Sequence, residues 1–104
     1  MLNISRALLL LGLLGSSLAS AMDYRIETVT EGLEHPWSLA FLPDGRMLVT
    51  ERVGRLRIIE PDGSLNPQPV GGVPEGFVAA QAGLMDVLLD PEFASNQQLY
   101  LSYA

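Results

Sequence analysis

Few residues in this chain have the chemistry to act on a substrate. His35 is the only histidine and stands beside Pro36, just ahead of an apolar run. A general base needs an orienting partner and a substrate pocket, and nothing near His35 in sequence supplies either, so it reads as a packing or hydrogen-bonding residue. Asp86, Asp90 and Glu92 cluster along the chain, but alternate strand positions and a turn account for them, and the run of alternating oxygen ligands that holds calcium in a loop is absent. Gly71-Gly72 and Gly76 open onto no helix and form no phosphate cradle. With no cysteine, disulfides and thiolate metal sites are excluded. No nucleophile triad can be assembled. Trp37 and Phe41 read as core residues rather than a stacking platform.

The elements that would have to position any site are short. The chain has 104 residues, 48% hydrophobic and 17% charged, which is a globular composition and not a disordered one. Twelve acidic residues face six arginines and no lysine, a formal net charge of −6; a nucleic-acid partner does not fit that balance. Met1 to Arg6 carries one positive charge, Ala7 to Gly15 is an unbroken apolar run, and Ala19-Ser20-Ala21 supplies small residues for cleavage. This is the three-part pattern of an export signal over residues 1–21. The apolar run is roughly half the ~20 residues a membrane span requires, so no span is expected in the mature chain, 22–104. Cleavage near Ala21 predicts a periplasmic or secreted protein, and loss of Arg6 makes it more acidic.

The mature chain is punctuated by turns. Alternation of Tyr24 and Ile26, extending to Val29, with Arg25, Glu27 and Thr28 predicts a strand at its start. Trp37–Leu42, Met47–Glu51 and Leu56–Glu60 predict three more, separated by Pro43-Asp44-Gly45-Arg46 and Val53-Gly54. Such short turns require antiparallel neighbours. Residues 66–82, rich in Pro, Gly, Val and Ala, read as loop with strand pieces around Val70 and Phe77. Leu84–Leu89 and Gln98–Tyr103 are further strands around a turn at 90–97. Laying Pro91 over Pro43 reveals a repeat at an offset of 48 residues, with four extra residues in the second turn. Leu39 and Phe41 then match Val87 and Leu89. A period of about fifty built from short antiparallel strands points to β-propeller blades. The expected fold is therefore all-β, the first blade and part of the second of a propeller. A propeller closes with about four to eight blades. One and a part would leave apolar faces and unpaired edges in water, so the chain is expected to be truncated, or else to assemble from several copies.

Two stretches carry a family resemblance. Leu33-Glu34-His35-Pro36-Trp37-Ser38-Leu39-Ala40-Phe41-Leu42-Pro43-Asp44-Gly45-Arg46-Met47-Leu48-Val49-Thr50-Glu51-Arg52, continuing Gly54-Arg55-Leu56, resembles the opening blade of the soluble pyrroloquinoline quinone (PQQ)-dependent sugar dehydrogenases. Gln81-Ala82-Gly83-Leu84-Met85-Asp86-Val87, with Asp90-Pro91-Glu92-Phe93-Ala94 and Tyr100-Leu101-Ser102-Tyr103, resembles that family's next motif. Asp86, where the glucose dehydrogenase branch usually has glycine, places it nearer the aldose sugar dehydrogenases. Two departures are Ala82, where glycine or asparagine is usual, and Asp90, where histidine commonly precedes the proline.

The resemblance implies a six-bladed propeller binding PQQ and calcium. It implies oxidation of the C1 hydroxyl of aldoses to lactones, with electrons passed to an external acceptor. Gln81 matches a family glutamine that contacts the quinone, a task suited to an uncharged donor and acceptor. No catalytic residue falls within the chain: the base histidine is expected beyond Ala104, and His35 is not that base. The calcium ligands are also expected beyond Ala104, and these 104 residues alone are expected to be inactive. Two other classes fit the residues: a lactonase-like propeller hydrolase using a metal on the ring axis, and a non-enzymatic secreted module that assembles from copies and binds glycans.

Overall fold

The structure is a computed structural model and describes residues 23–104. The predicted signal, residues 1–21, lies outside the described residues. Five strands form two antiparallel sheets: β1 (Pro36–Phe41), β2 (Met47–Glu51) and β3 (Arg55–Ile59) in the order β1-β2-β3, then β4 (Leu84–Leu89) with β5 (Leu99–Tyr103). Each lies within a residue of its sequence expectation. The one helix among the described residues, α1 (Phe93–Asn96), is a single turn.

The turns form where their chemistry dictates. At the β1–β2 turn, Asp44 Oδ1 accepts the Arg46 N–H at 3.1 Å and the Arg46 guanidinium folds back onto Asp44 Oδ2 at 2.8 Å. Gly45 takes φ +92°, open to glycine at little cost. The Leu42 N–H then closes the hairpin on the Arg46 carbonyl, as Asp90 N–H does on Gln98 in the second sheet. The four extra residues of the second turn are taken up by α1.

The repeat is thus spatial as well as sequential. Pairing of β1 with β2 is irregular between Pro36 and Leu39, and pairing of β4 with β5 between Leu84 and Val87, the same offset of 48. Such an irregularity turns a backbone N–H away from the ladder and leaves it to be satisfied by other means. Each sheet uses a hydroxyl: Ser38 N–H donates to Thr50 Oγ1 at 3.1 Å, and Asp86 N–H to Ser102 Oγ at 2.9 Å.

The two sheets share a core of Leu42, Leu48, Leu56 and Val87, against which Ala40, Ile58, Leu89, Leu99 and Leu101 pack. Two hydroxyls also bond across the seam. Thr50 Oγ1, wholly buried, donates to the Met85 carbonyl, and Val87 N–H donates to Ser38 Oγ at 3.3 Å.

Three expectations need correction. Trp37 and Phe41 are not core: they are 55% and 72% exposed, on the face of β1 turned away from the second sheet. With Leu39, Met47, Val49 and Ile59 they line an apolar groove of about 450 Å³ rimmed by Val29 and Leu33. Alternation put them on a hydrophobic face, but no described element covers that face. The strand expected at Tyr24–Val29 is absent. Tyr24 and Ile26 stand almost fully in solvent, because a strand exists only when another edge pairs with it. In residues 66–82, the pieces around Val70 and Phe77 are isolated backbone contacts to Leu56 and Ala104. Pro67, Pro69 and Pro74 supply no N–H for a ladder.

Candidate functional site

One end of the sheets gathers a cleft of about 310 Å³ lined by His35, Pro36, Trp37, Arg52 and Gln81. The antiparallel order explains the grouping. The start of β1, the residue after β2 and the turn before β4 all arrive at that end. The cleft brings the predicted cofactor residue, Gln81, together with His35, which sequence reasoning set apart from the chemistry. It also adds Arg52, which sequence reasoning overlooked.

Arg52 connects the two rims. Its N–H donates to the His35 carbonyl at 3.1 Å and its carbonyl accepts the Leu84 N–H at 3.1 Å. Its Nη1 donates to the Ala80 carbonyl. Gly83 lies flat against it: a Cβ there would fall 2.2 Å from the Arg52 carbonyl oxygen, so no side chain fits. From Ala79 to Ala82 the chain makes a tight turn, closed by Ala82 N–H on the Ala79 carbonyl at 2.7 Å, with the exposed Gln81 inside it. Ala82 sits in this closure, and the left-handed residue is Ala80, two positions before it, so alanine at position 82 takes no positive φ.

Two of the three non-glycine residues with positive φ among the described residues, His35 (+45°) and Ala80 (+52°), are at this cleft. Each costs about 1 kcal/mol relative to an ordinary backbone conformation. The Arg52 guanidinium, donating to the Ala80 carbonyl, is the side-chain contact that holds the turn in that state.

The electrostatics set Arg52 apart. Among the described residues, Arg25, Arg46, Arg55 and Arg57 are each ion-paired, and Arg52 is the arginine without a carboxylate partner. Its Nε is buried and makes no hydrogen bond. Beneath it, Glu51 is completely buried and receives Arg55 Nε at 2.8 Å, Arg57 Nη1 at 3.2 Å and the Glu34 N–H. Burial works to raise the Glu51 pKa, but the Arg55, Glu34 and Arg57 hydrogen bonds outweigh it and hold it below the usual carboxylate range. Glu51 thus fixes the His35 rim through Glu34, while Arg52 fixes the Gln81 rim.

The acidic trio does not converge. Asp90 is at the opposite end of the second sheet and organises its turn, accepting from Tyr100 Oη at 2.6 Å, Glu92 N–H at 2.9 Å and Asn96 Nδ2 at 3.0 Å. The Tyr100 hydrogen bond leads the contacts that lower its pKa, and the same bond raises that of Tyr100. Asp90 thus holds its turn together. Among the described residues no group of three His, Asp or Glu side chains is placed to hold a metal ion. A quinone bearing carboxylates does fit the cleft: it offers an exposed amide and an indole, and no carboxylate lines it.

Comparison with known proteins agrees with these features. Residues 33–104 match the family described as Glucose / Sorbosone dehydrogenase. The aldose sugar dehydrogenase YliI of Escherichia coli is 41% identical over 87 residues, covering 83% of this chain and 23% of that protein. A crystal structure of glucose dehydrogenase superposes with a TM-score of 0.73 at 48% identity, over 78% of this chain and 24% of that one. The PQQ-bound aldose sugar dehydrogenase of Streptomyces coelicolor gives 0.70 at 29% identity, over 78% and 24%. The chain therefore spans about a quarter of the length of the relatives it matches.

Proposed function

The chain belongs to the glucose / sorbosone dehydrogenase family, and on that footing we propose that it forms the first blade and part of the second in a six-bladed β-propeller. The whole protein is a PQQ-dependent sugar dehydrogenase, oxidising the C1 hydroxyl of aldoses to lactones and delivering electrons to an external acceptor. The observation that carries this reading is the cleft in which Gln81, Arg52 and Trp37 meet, in a chain similar to a quinone-bound relative. The repeated bulge and hydroxyl bridge in the two sheets supports successive blades, and the uncovered face of Trp37, Leu39 and Phe41 supports a further blade packed against it. The export-signal pattern supports a periplasmic or secreted location. No helix among the described residues is long and apolar enough to cross a membrane.

In this reading Gln81 orients the cofactor by donating from its amide nitrogen and accepting at its oxygen, adding no charge beside a carboxylated ring. Arg52, bonded to the Ala80 carbonyl, stands behind the turn that carries Gln81, and Trp37 presents an apolar wall that narrows access of water. The quinone, when bound, supplies the two-electron acceptor. The base histidine and the calcium ligands belong to the rest of the ring.

The test is to purify the complete protein, add PQQ and calcium, and follow aldose oxidation with a dye acceptor. Quinone-dependent dye reduction is expected. Metal-dependent lactone hydrolysis without quinone, or sugar binding without turnover, would overturn the assignment.

A further inference from the structure

We infer that Arg52 is the positioning residue for Gln81: its guanidinium, bonded to the Ala80 carbonyl, holds the turn that aims the Gln81 amide into the cleft. The inference rests on the proposed role of the cleft in quinone binding. Four observations carry it. Ala80 has a left-handed backbone that alanine does not favour, so an outside contact has to maintain it. The Arg52 side chain supplies that contact. The turn is held against the Arg52 backbone by the Leu84 hydrogen bond and by the absence of a side chain at Gly83. Finally, among the described residues Arg52 pairs with no carboxylate, so its charged donor is not drawn toward an acid and stays available to the turn. The same residue donates its N–H to the His35 carbonyl, so both walls of the cleft are registered on one residue.

The test uses the complete protein without cofactor, comparing the parent with Arg52→Gln, Arg52→Lys, Gln81→Ala and the Arg52→Gln/Gln81→Ala double variant. Two readouts are taken: exchange of the Ala82 amide hydrogen, which needs no ligand, and equilibrium binding of PQQ alone. Arg52→Gln is expected to speed Ala82 exchange and weaken quinone binding, each by about tenfold, while Arg52→Lys, keeping the charge and a donor, recovers part of both. Because Arg52 acts through Gln81, the double variant should bind no more than about twofold more weakly than Gln81→Ala alone. Additive losses would overturn the inference, since Arg52 would then act by itself. Parent-like Ala82 exchange in Arg52→Gln would overturn it too. If Arg52→Gln fails to fold, Arg52→Lys and Gly83→Ala, which pushes on the Arg52 carbonyl, perturb the same contact, and unchanged Ala82 exchange in both would overturn it. Absence of quinone binding in the parent would remove the functional reading while the exchange result still decides the positioning role.

Discussion

Thr50 is the most informative single position in the fold. Its side chain is fully buried, and its hydroxyl accepts from Ser38 N–H within the first sheet and donates to the Met85 carbonyl of the second. Thr50→Val keeps the shape but strands both backbone groups. A buried polar group left without a partner costs about 1–3 kcal/mol, and the added methyl returns at most ~0.8 kcal/mol. With two groups stranded, the net destabilisation should be about 1–5 kcal/mol. Thr50→Ser keeps the hydroxyl and deletes a methyl, which should cost only about 1 kcal/mol. The more hydrophobic variant is thus expected to be the less stable, the reverse of what apolar burial alone would give. Urea denaturation of the complete protein followed by circular dichroism measures both, and amide exchange at Ser38 reports the local bond. Finding Thr50→Val as stable as Thr50→Ser, with Ser38 still protected, would refute the idea that this hydroxyl joins the sheets.

Other expectations follow from the same geometry. Glu51→Gln should destabilise by about 3 kcal/mol, the lower end of the range for breaking a buried ion pair, because Arg55 is 35% exposed and can turn to water. The Glu51 pKa is lowered by folding, so its contribution is present above the ordinary carboxylate value and is lost as pH falls through the folded one. Acid denaturation profiles below about pH 4 should therefore be shallower in Glu51→Gln than in the parent. Ala80→Gly should relieve left-handed strain and raise stability by about 0.5–1 kcal/mol in thermal melts, since glycine takes positive φ at little cost.

The five strands and their pairing were legible because each is short, mostly apolar and bounded by turn residues, as Asp44 and Gly45 are. The repeat was legible from Pro43 and Pro91, although its physical basis, the bulge with Thr50 and Ser102 plugging it, required coordinates. Tyr24–Val29 misled because alternation reports which face is apolar, not whether an edge is present to pair with. Trp37 and Phe41 misled for the same reason. Gln81 stood out only through resemblance; nothing in its local sequence distinguishes it from another loop amide. Arg52 was invisible because its importance lies in backbone contacts to residues 17 positions before and 32 after it, and in ion pairing that leaves it out. His35 gave no sign of its left-handed backbone, which Arg52 and Glu51 maintain from across the sheet.

The face formed by Trp37, Leu39 and Phe41 offers the most direct measurement of whether these sheets are built to be covered by the rest of a ring. Residues 23–104, expressed alone, can be followed by sedimentation velocity and by fluorescence of a dye that binds apolar surface. Self-association with strong dye binding, neither seen in the complete protein, is the expected result. A monodisperse monomer that melts cooperatively and leaves the dye dark would contradict it.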